Sequence, residues 1–186
     1  MSQKYWEYFL SIEADLDNCQ RYIAFERSNY LAYSNEFAKI IMAASAEVDN
    51  VFKDLCSIID ASKTPKNINQ YCSIVTSRYP KITQMPIEIS RYKISEVPWK
   101  GWNKNISPDW WKNGYNKIKH ERTDNFSQAN LKNSILSVGA LFILILYYHE
   151  TVFGRGISVD FSRHPKLFTP VKKGKEGMYW YMSPEI

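Results

Sequence analysis

Residues 34–59 read SNEFAKIIMAASAEVDNVFKDLCSII, and this stretch decides the fold. Ser34 belongs to a residue type that caps helix N-termini, because its hydroxyl accepts a hydrogen bond from an amide of the first turn. Behind it, apolar residues recur at intervals of three and four, which is the α-helical period. They form one stripe: Phe37, Ile41, Ala44, Val48, Phe52, Leu55 and Ile59. The pattern predicts a long amphipathic helix that pairs with other helices through this stripe.

Helices are also predicted on both sides of this stretch. Residues 4–25 carry a stripe of Tyr5, Phe9, Ile12, Leu16, Cys19 and Ile23. Ser127 is the expected cap of the last long helix, which Gly154 and Gly156 end and whose stripe is Leu131, Ile135, Val138, Phe142, Ile145 and His149. Shorter helices are expected over 68–77 and over 108–120, the second started by Ser107, Pro108 and Asp109. The prediction is a mainly α fold, an antiparallel bundle of four to five helices.

Two regions lack the helical period. Residues 80–107 contain three prolines and the alternating Ile87, Ile89, Tyr92 and Ile94, which predict a short extended or β insertion with one hairpin. Residues 157–186 are expected to form an extended arm that lies on the bundle, with a basic loop over 166–175. Because there is no internal repeat and no low-complexity linker, residues 1–186 are predicted to be one domain, with the bundle over 1–154 and the C-terminal arm over 157–186.

Composition limits the kinds of function. The chain has 186 residues, of which 45% are hydrophobic and 23% charged, as in an ordinary globular protein. Its net charge of +5 permits a polyanionic partner such as RNA without requiring one. Gly is scarce, with 7 residues, and the Walker, Rossmann, HExxH and GxSxG motifs are absent. Kinase, dehydrogenase, metalloprotease and α/β-hydrolase activities are therefore disfavoured, and no cofactor is expected.

The sequence predicts a cytoplasmic protein that does not cross a membrane. Cys19, Cys56 and Cys72 form no CxxC pair and have no His at ligand spacing, so they are expected to be reduced core residues with no metal site. The N-terminus contains no cleavable apolar run. The most apolar stretch, 135–148, has 14 residues, fewer than the roughly 20 that a membrane span needs. It is predicted to be a core helix.

The segment YNKIKHER, residues 115–122, groups side chains that suit phosphate chemistry. On a helix, Asn116 and His120 share a face and Lys119 lies beside them. Arg122 follows the expected helix end, so its side chain could fold back to the same place. An imidazole can accept the proton of an RNA 2′-hydroxyl, and a guanidinium can hold the charge of the phosphorane. In the alternative interpretation, His120 bonds a carbonyl of the last turn, and the cations are simply solvated.

Other residues leave alternatives open. Glu47 could approach and pair with His120, or be an ordinary exposed acid. His149 is expected to cap helix carbonyls. Four tryptophans just before the segment could stack unpaired bases or belong to the core: Trp99, Trp102, Trp110 and Trp111.

The run from Trp110 to Arg122 resembles the signature of uncharacterised bacterial proteins in the HEPN-like class, in which a YNxxKHxR-type motif precedes a long apolar helix. The resemblance extends more loosely over residues 1–150. It implies a helical bundle that forms a symmetric dimer. In the nuclease members, two copies of an Arg/His motif meet across the dimer cleft and cut RNA without a metal. Such members occur in toxin–antitoxin and anti-phage systems, which implies an antitoxin or defence-system partner.

Carried over to this chain, the resemblance makes His120 the general acid or base. Arg122 and Lys119 would hold the scissile phosphate, while Asn116 and Tyr115 would orient the site or contact the substrate. In the nuclease members an Arg precedes the His by four to six residues, whereas Arg122 follows His120 here. The alternative is therefore a non-catalytic interaction module that binds a partner protein, nucleotide or RNA. An exposed His120 beside Arg122, facing its symmetry mate, favours the nuclease, and a buried His120 bonded to backbone favours the module.

Overall fold

The computed structural model describes residues 5–154, 164–168, 172–173 and 179–180, and the mainly helical fold is confirmed. Within these residues six α-helices follow one another: α1 (Trp6–Cys19), α2 (Asn35–Ile59), α3 (Ile68–Arg78), α4 (Asn116–His120), α5 (Arg122–Asn125) and α6 (Leu131–Phe153). A π-helical turn, Trp110–Tyr115, leads directly into α4. Short 3₁₀ turns occupy Arg27–Asn29, Pro80–Gln84, Ser90–Tyr92 and Phe126–Gln128.

The centre of the bundle is the pair α2 and α6. The predicted stripe of α2 is buried from Phe37 to Leu55, and α6 is buried on nearly all sides between Leu131 and His149. By length and hydropathy α6 could cross a membrane, but 83% of its most apolar window is covered by the rest of the protein. This burial identifies α6 as a core helix of the bundle, as its sequence predicted.

The first helix is shorter than its pattern indicated. It ends at Cys19 instead of Phe25, and the chain then turns, with the amide of Tyr22 bonded to the carbonyl of Cys19. Beyond the turn, Phe25 is buried against Tyr92 of the β insertion, with 5.3 Å between ring centroids, and the Ala24 carbonyl accepts a hydrogen bond from the Asn29 side chain. These contacts hold residues 24–29 outside the helix, and the local period of α1 carries no information about them.

One of the predicted caps is confirmed and two are wrong. The Ser34 hydroxyl accepts a 3.1 Å bond from the Phe37 amide and starts α2. The cap of α6 is Asn130, not Ser127, since its side chain accepts a 2.9 Å bond from the Asn133 amide and a 3₁₀ turn occupies residues 126–128. Ser107 does not cap the π-helical turn, because its hydroxyl points to Asn69 instead. Asparagine and serine are equally good caps, so local sequence does not choose between them.

The β insertion is confirmed as one antiparallel hairpin. Strands β1 (Ile87–Ile89) and β2 (Ile94–Glu96) pair with Ile87 opposite Glu96 and Ile89 opposite Ile94. The hairpin packs on α6 where Gly139 lies, because a Cβ added there would lie 2.4 Å from Cδ1 of Ile87. A glycine at this position allows the hairpin to approach the helix backbone.

Part of the predicted C-terminal arm is described, and its residues 166–168 lie on the bundle. Leu167 and Phe168 are buried, and the Phe168 ring stacks on Phe142 with 5.6 Å between centroids. Strands β3 (Lys172–Lys173) and β4 (Tyr179–Trp180) form a second antiparallel pair. The rest of the arm and of its basic loop, together with Gly156, lies outside the described residues.

Candidate functional site

A cleft opens between the start of α2 and the end of α4. Its volume is about 840 Å³. It is lined by Asn35, Glu36, Ala38, Lys39, Met42, Ile118, Lys119, His120, Arg122 and Thr123. We call it the basic cleft. It contains three of the five residues that the sequence predicted for the site, namely His120, Arg122 and Lys119.

A break in the helix brings His120 and Arg122 to the same cleft. Helix α4 ends at His120, and α5 begins at Arg122. Between them Glu121 leaves the helical conformation, with φ −137° and ψ 38°. Lys117 forms a 2.5 Å ion pair with Glu121, and this pairing lowers the pKa of the Glu121 carboxyl. The carboxylate of Glu121, which follows His120 in the sequence, is therefore paired with Lys117, a cation that does not line the cleft.

The lining of the basic cleft carries excess positive charge. Lys39 and Glu36 form a 2.7 Å ion pair, and this bond raises the pKa of Lys39. Among the described residues of the lining, Glu36 is the only carboxylate, against the cations of Lys39, Lys119 and Arg122. Within the described part of the chain, the side chains of Lys119, His120 and Arg122 form no hydrogen bond or ion pair. They are exposed and remain available to an anionic ligand.

His120 therefore does not match the interpretation in which it bonds a carbonyl of its own helix. The carbonyl of Lys117 accepts instead from the backbone amide of Glu121, at 2.8 Å. His120 is exposed and lines the same cleft as Arg122.

Tyr115 and Asn116 are not among the lining residues. Tyr115 is buried, packs on Trp111 with 4.8 Å between ring centroids, and lies 5.3 Å from the Nζ atom of Lys119. A cation over an aromatic face is attracted to it, so Tyr115 positions Lys119 from beneath. Asn116, one turn before His120, is half-buried. Direct contact of these two side chains with a substrate stays a prediction.

The four tryptophans belong to the core. Trp99, Trp102, Trp110 and Trp111 are between 0% and 6% exposed. Trp99 contacts Trp102 and Trp110 with centroids 4.8 and 5.5 Å apart, and its indole donates to the carbonyl of Ala140. Because no ring face is open to solvent, these side chains cannot stack RNA bases, and the base-stacking alternative is wrong.

Glu47 and His149 also lie away from the cleft. Glu47 is buried and accepts a 3.0 Å bond from Asn50, and it lies eleven residues beyond Glu36 on α2, about 16 Å along the axis. The acid near His120 is therefore Glu36 rather than Glu47. His149 is buried near the C-terminal end of α6, where its ring stacks on Phe153. Burial lowers the pKa of His149 to about 4.

Sequence reasoning missed the half of the cleft that α2 supplies. Asn35, Glu36 and Lys39 lie on the polar side of α2, opposite its stripe. On the sequence they are indistinguishable from any solvated helix face. Only the packing of α4 against the start of α2 makes them part of a site.

No known protein family, curated protein or solved structure matches this chain.

Proposed function

We propose that the protein binds single-stranded RNA in the basic cleft and cleaves it without a metal ion. The observation that supports this proposal is the exposure of Lys119, His120 and Arg122 in one cleft, where their side chains form no hydrogen bond or ion pair with the described residues. Two cations beside an imidazole suit a phosphodiester, because Arg and Lys bind phosphate oxygens and His exchanges protons near neutral pH.

The reaction would be an internal transesterification. His120 takes the proton of the 2′-hydroxyl, the 2′-oxygen attacks the phosphorus, and the bond to the 5′-oxygen breaks. Arg122 and Lys119 hold the negative charge that grows on the phosphorane oxygens. The leaving 5′-oxygen takes a proton from water or from an imidazolium. The products are a 2′,3′-cyclic phosphate and a 5′-hydroxyl.

The sequence resemblance to HEPN-like proteins adds a biological setting to this proposal. It implies a cytoplasmic homodimer, in which the clefts of two copies face each other, and a role in bacterial stress or phage defence. An imidazole from the second copy would then be a source of the proton for the leaving oxygen. Sedimentation equilibrium tests the dimer, and a monomer at micromolar concentration would contradict it.

A second candidate function is a non-catalytic interaction module. The observation that favours it is an exposed apolar patch beside the site, formed by Leu31, which is 78% exposed, and Tyr33, which is 55% exposed. Tyr33 packs edge-on against Phe126, which directly follows α5. A partner protein such as an antitoxin would cover this patch. In this function the protein cleaves no RNA, and Leu31→Asp should abolish the complex with the partner without lowering the midpoint of thermal unfolding.

RNA binding at the cleft is tested with two charge-removing variants and a matched control. Lys119→Gln and Arg122→Gln each remove one expected phosphate contact, and Lys100→Gln removes an exposed cation next to the core residue Trp99. We expect each cleft variant to weaken binding and to reduce the slope of log affinity against log salt by about 1. The control should bind as the wild type does. Equal binding by all four proteins would contradict the proposal.

A further inference from the structure

A second cavity adjoins the basic cleft. Its volume is about 510 Å³, within the range of about 300–1,000 Å³ that small-molecule pockets occupy. It is lined by Asp15, Asn18, Cys19, Tyr22, Ile23, Ser34, Glu36 and Phe37. Glu36 lines both cavities, which therefore lie next to each other. We call this cavity the side pocket.

The side pocket combines an aromatic ring with unpaired polar groups. Tyr22 is 86% exposed, the largest value among the exposed apolar side chains of the described residues. Asp15 and Asn18 lie one turn apart near the end of α1, and within the described ranges their side chains form no hydrogen bond or ion pair. Phe37 and Cys19 are buried and provide an apolar wall.

These two cavities differ in charge as the two ends of a nucleotide do. Lys119 and Arg122 line only the basic cleft. The side pocket is lined by the ring of Tyr22 and the carboxylates of Asp15 and Glu36. A nucleotide likewise has an anionic phosphate joined to an uncharged, flat base. Aromatic side chains next to cationic grooves are a common way to hold single strands, because any base can stack on a ring.

We propose that the side pocket binds one unpaired nucleobase, preferably guanine, next to the phosphate held in the basic cleft. The inference rests on the proposed function and adds its substrate preference. The base stacks on Tyr22, and the Asp15 carboxylate accepts two hydrogen bonds from its Watson–Crick edge. Asn18 can donate to the guanine carbonyl.

Guanine is favoured because the Asp15 carboxylate offers acceptors only. Guanine presents two neighbouring N–H groups, at N1 and at the exocyclic N2, which together match both oxygens of one carboxylate. Adenine and cytosine present one amino group beside a ring nitrogen with a lone pair, which repels the carboxylate. Uracil presents a single N–H between two carbonyl oxygens. Glu36 is already paired with Lys39, so Asp15 is the free acceptor.

The test compares short RNAs that differ at one position. Uridine oligomers with one central guanosine, adenosine, cytidine, uridine or abasic ribose are bound to the full chain carrying His120→Ala, in EDTA, so that nothing is cleaved. We expect guanosine to bind roughly five- to a hundred-fold more tightly than the abasic ribose. Tyr22→Ala should remove most of that difference, and Asp15→Asn should remove the preference for guanosine over adenosine.

Tyr8→Ala is the matched control, since Tyr8 is an exposed tyrosine of α1 that does not line the side pocket. The Tyr8→Ala protein should still bind guanosine more tightly than the abasic ribose and more tightly than adenosine. If guanosine and abasic oligomers bind equally while Lys119→Gln still weakens binding, the side-pocket inference fails and the proposed function stands. If Lys119→Gln and Arg122→Gln bind RNA as tightly as their parent, the proposed function fails and the inference fails with it.

Discussion

The carboxylate of Glu13, in α1, accepts a 2.7 Å hydrogen bond from the backbone amide of Leu167, 154 positions further along the chain. The amides of Lys166 and Phe168 bond the same carboxylate, at 2.9 and 3.2 Å. Glu13 is 1% exposed, and burial raises its pKa while these three bonds oppose that effect. One buried side chain thus joins the first helix to the C-terminal segment.

The first prediction is that Glu13→Ala lowers the free energy of unfolding by roughly 3 kcal/mol, because it leaves buried amides without an acceptor. Glu13→Gln should lose less, since its amide oxygen still accepts. Urea denaturation of the three proteins measures both values. An alanine variant as stable as the wild type would show that this contact does not hold the segment in solution.

The second prediction concerns the tryptophan core. Trp99 is fully buried between Phe52 and Trp110, so Trp99→Ala should cost about 3–5 kcal/mol in unfolding free energy. RNA affinity of the folded fraction should not change. Tyr22→Ala should behave in the opposite way, with stability kept and RNA affinity reduced. Loss of RNA affinity in a stable Trp99→Ala protein would return base stacking to consideration.

The third prediction tests the contact between the hairpin and α6. Gly139→Leu places side-chain atoms where Ile87 lies, and overpacking of this kind costs about 1–3 kcal/mol. Thermal unfolding should show a lower midpoint for this variant. Ala46→Leu, at an exposed position of α2, adds the same side chain without a clash and is the control. Equal midpoints for the two variants would place the hairpin away from Gly139.

The fourth prediction is a pH dependence that originates at His149. Burial lowers its pKa from 6.5 to about 4, so the folded state holds a neutral ring that the unfolded chain protonates more readily. The contribution of the neutral His149 ring to the free energy of unfolding is fully present above pH 6.5, and it is lost as the pH falls to 4. This lowering of the His149 pKa corresponds to about 3 kcal/mol of unfolding free energy.

His149→Phe keeps the packing on Phe153 and should flatten the pH dependence in this window. Urea unfolding at several pH values between 7 and 4 measures it. Burial raises the pKa of Glu13, so the contribution of Glu13 to the free energy of unfolding increases as the pH falls. Because both proteins contain Glu13, the difference between wild type and variant isolates His149. Parallel curves for the two proteins would show that His149 does not titrate in this way.

The helices that the sequence predicts well are those whose pattern and tertiary contacts agree. Ser34 and the stripe behind it define α2, because the cap and the helical period point to the same boundary. The end of α1 was not predictable, since Ile23 continues the period, whereas the chain beyond Cys19 turns towards a long-range pairing of Phe25 with Tyr92. Local pattern carries no information about such long-range pairing.

The site was predictable in part for the same reason. The spacing of His120 and Arg122 around a helix end is local, and the structure places both in one cleft. The contribution of Lys39 and Glu36 depends on the packing of α4 against α2, which the sequence of either helix does not reveal. The π-helical turn before α4 also makes a contact that is distant in the sequence. Its Gly114 packs against Asn133 of α6, where an added Cβ would lie 3.2 Å from Asn133 Cγ.

The most direct test of the central claim is RNA cleavage by the purified protein in EDTA, with His120→Ala as the comparison. The proposal predicts that the wild type cleaves single-stranded RNA and leaves 2′,3′-cyclic phosphate ends. It predicts that His120→Ala binds the same RNA and leaves it intact. Cleavage by both proteins, or by neither when both are folded, would contradict the assignment of His120 as the group that moves the proton.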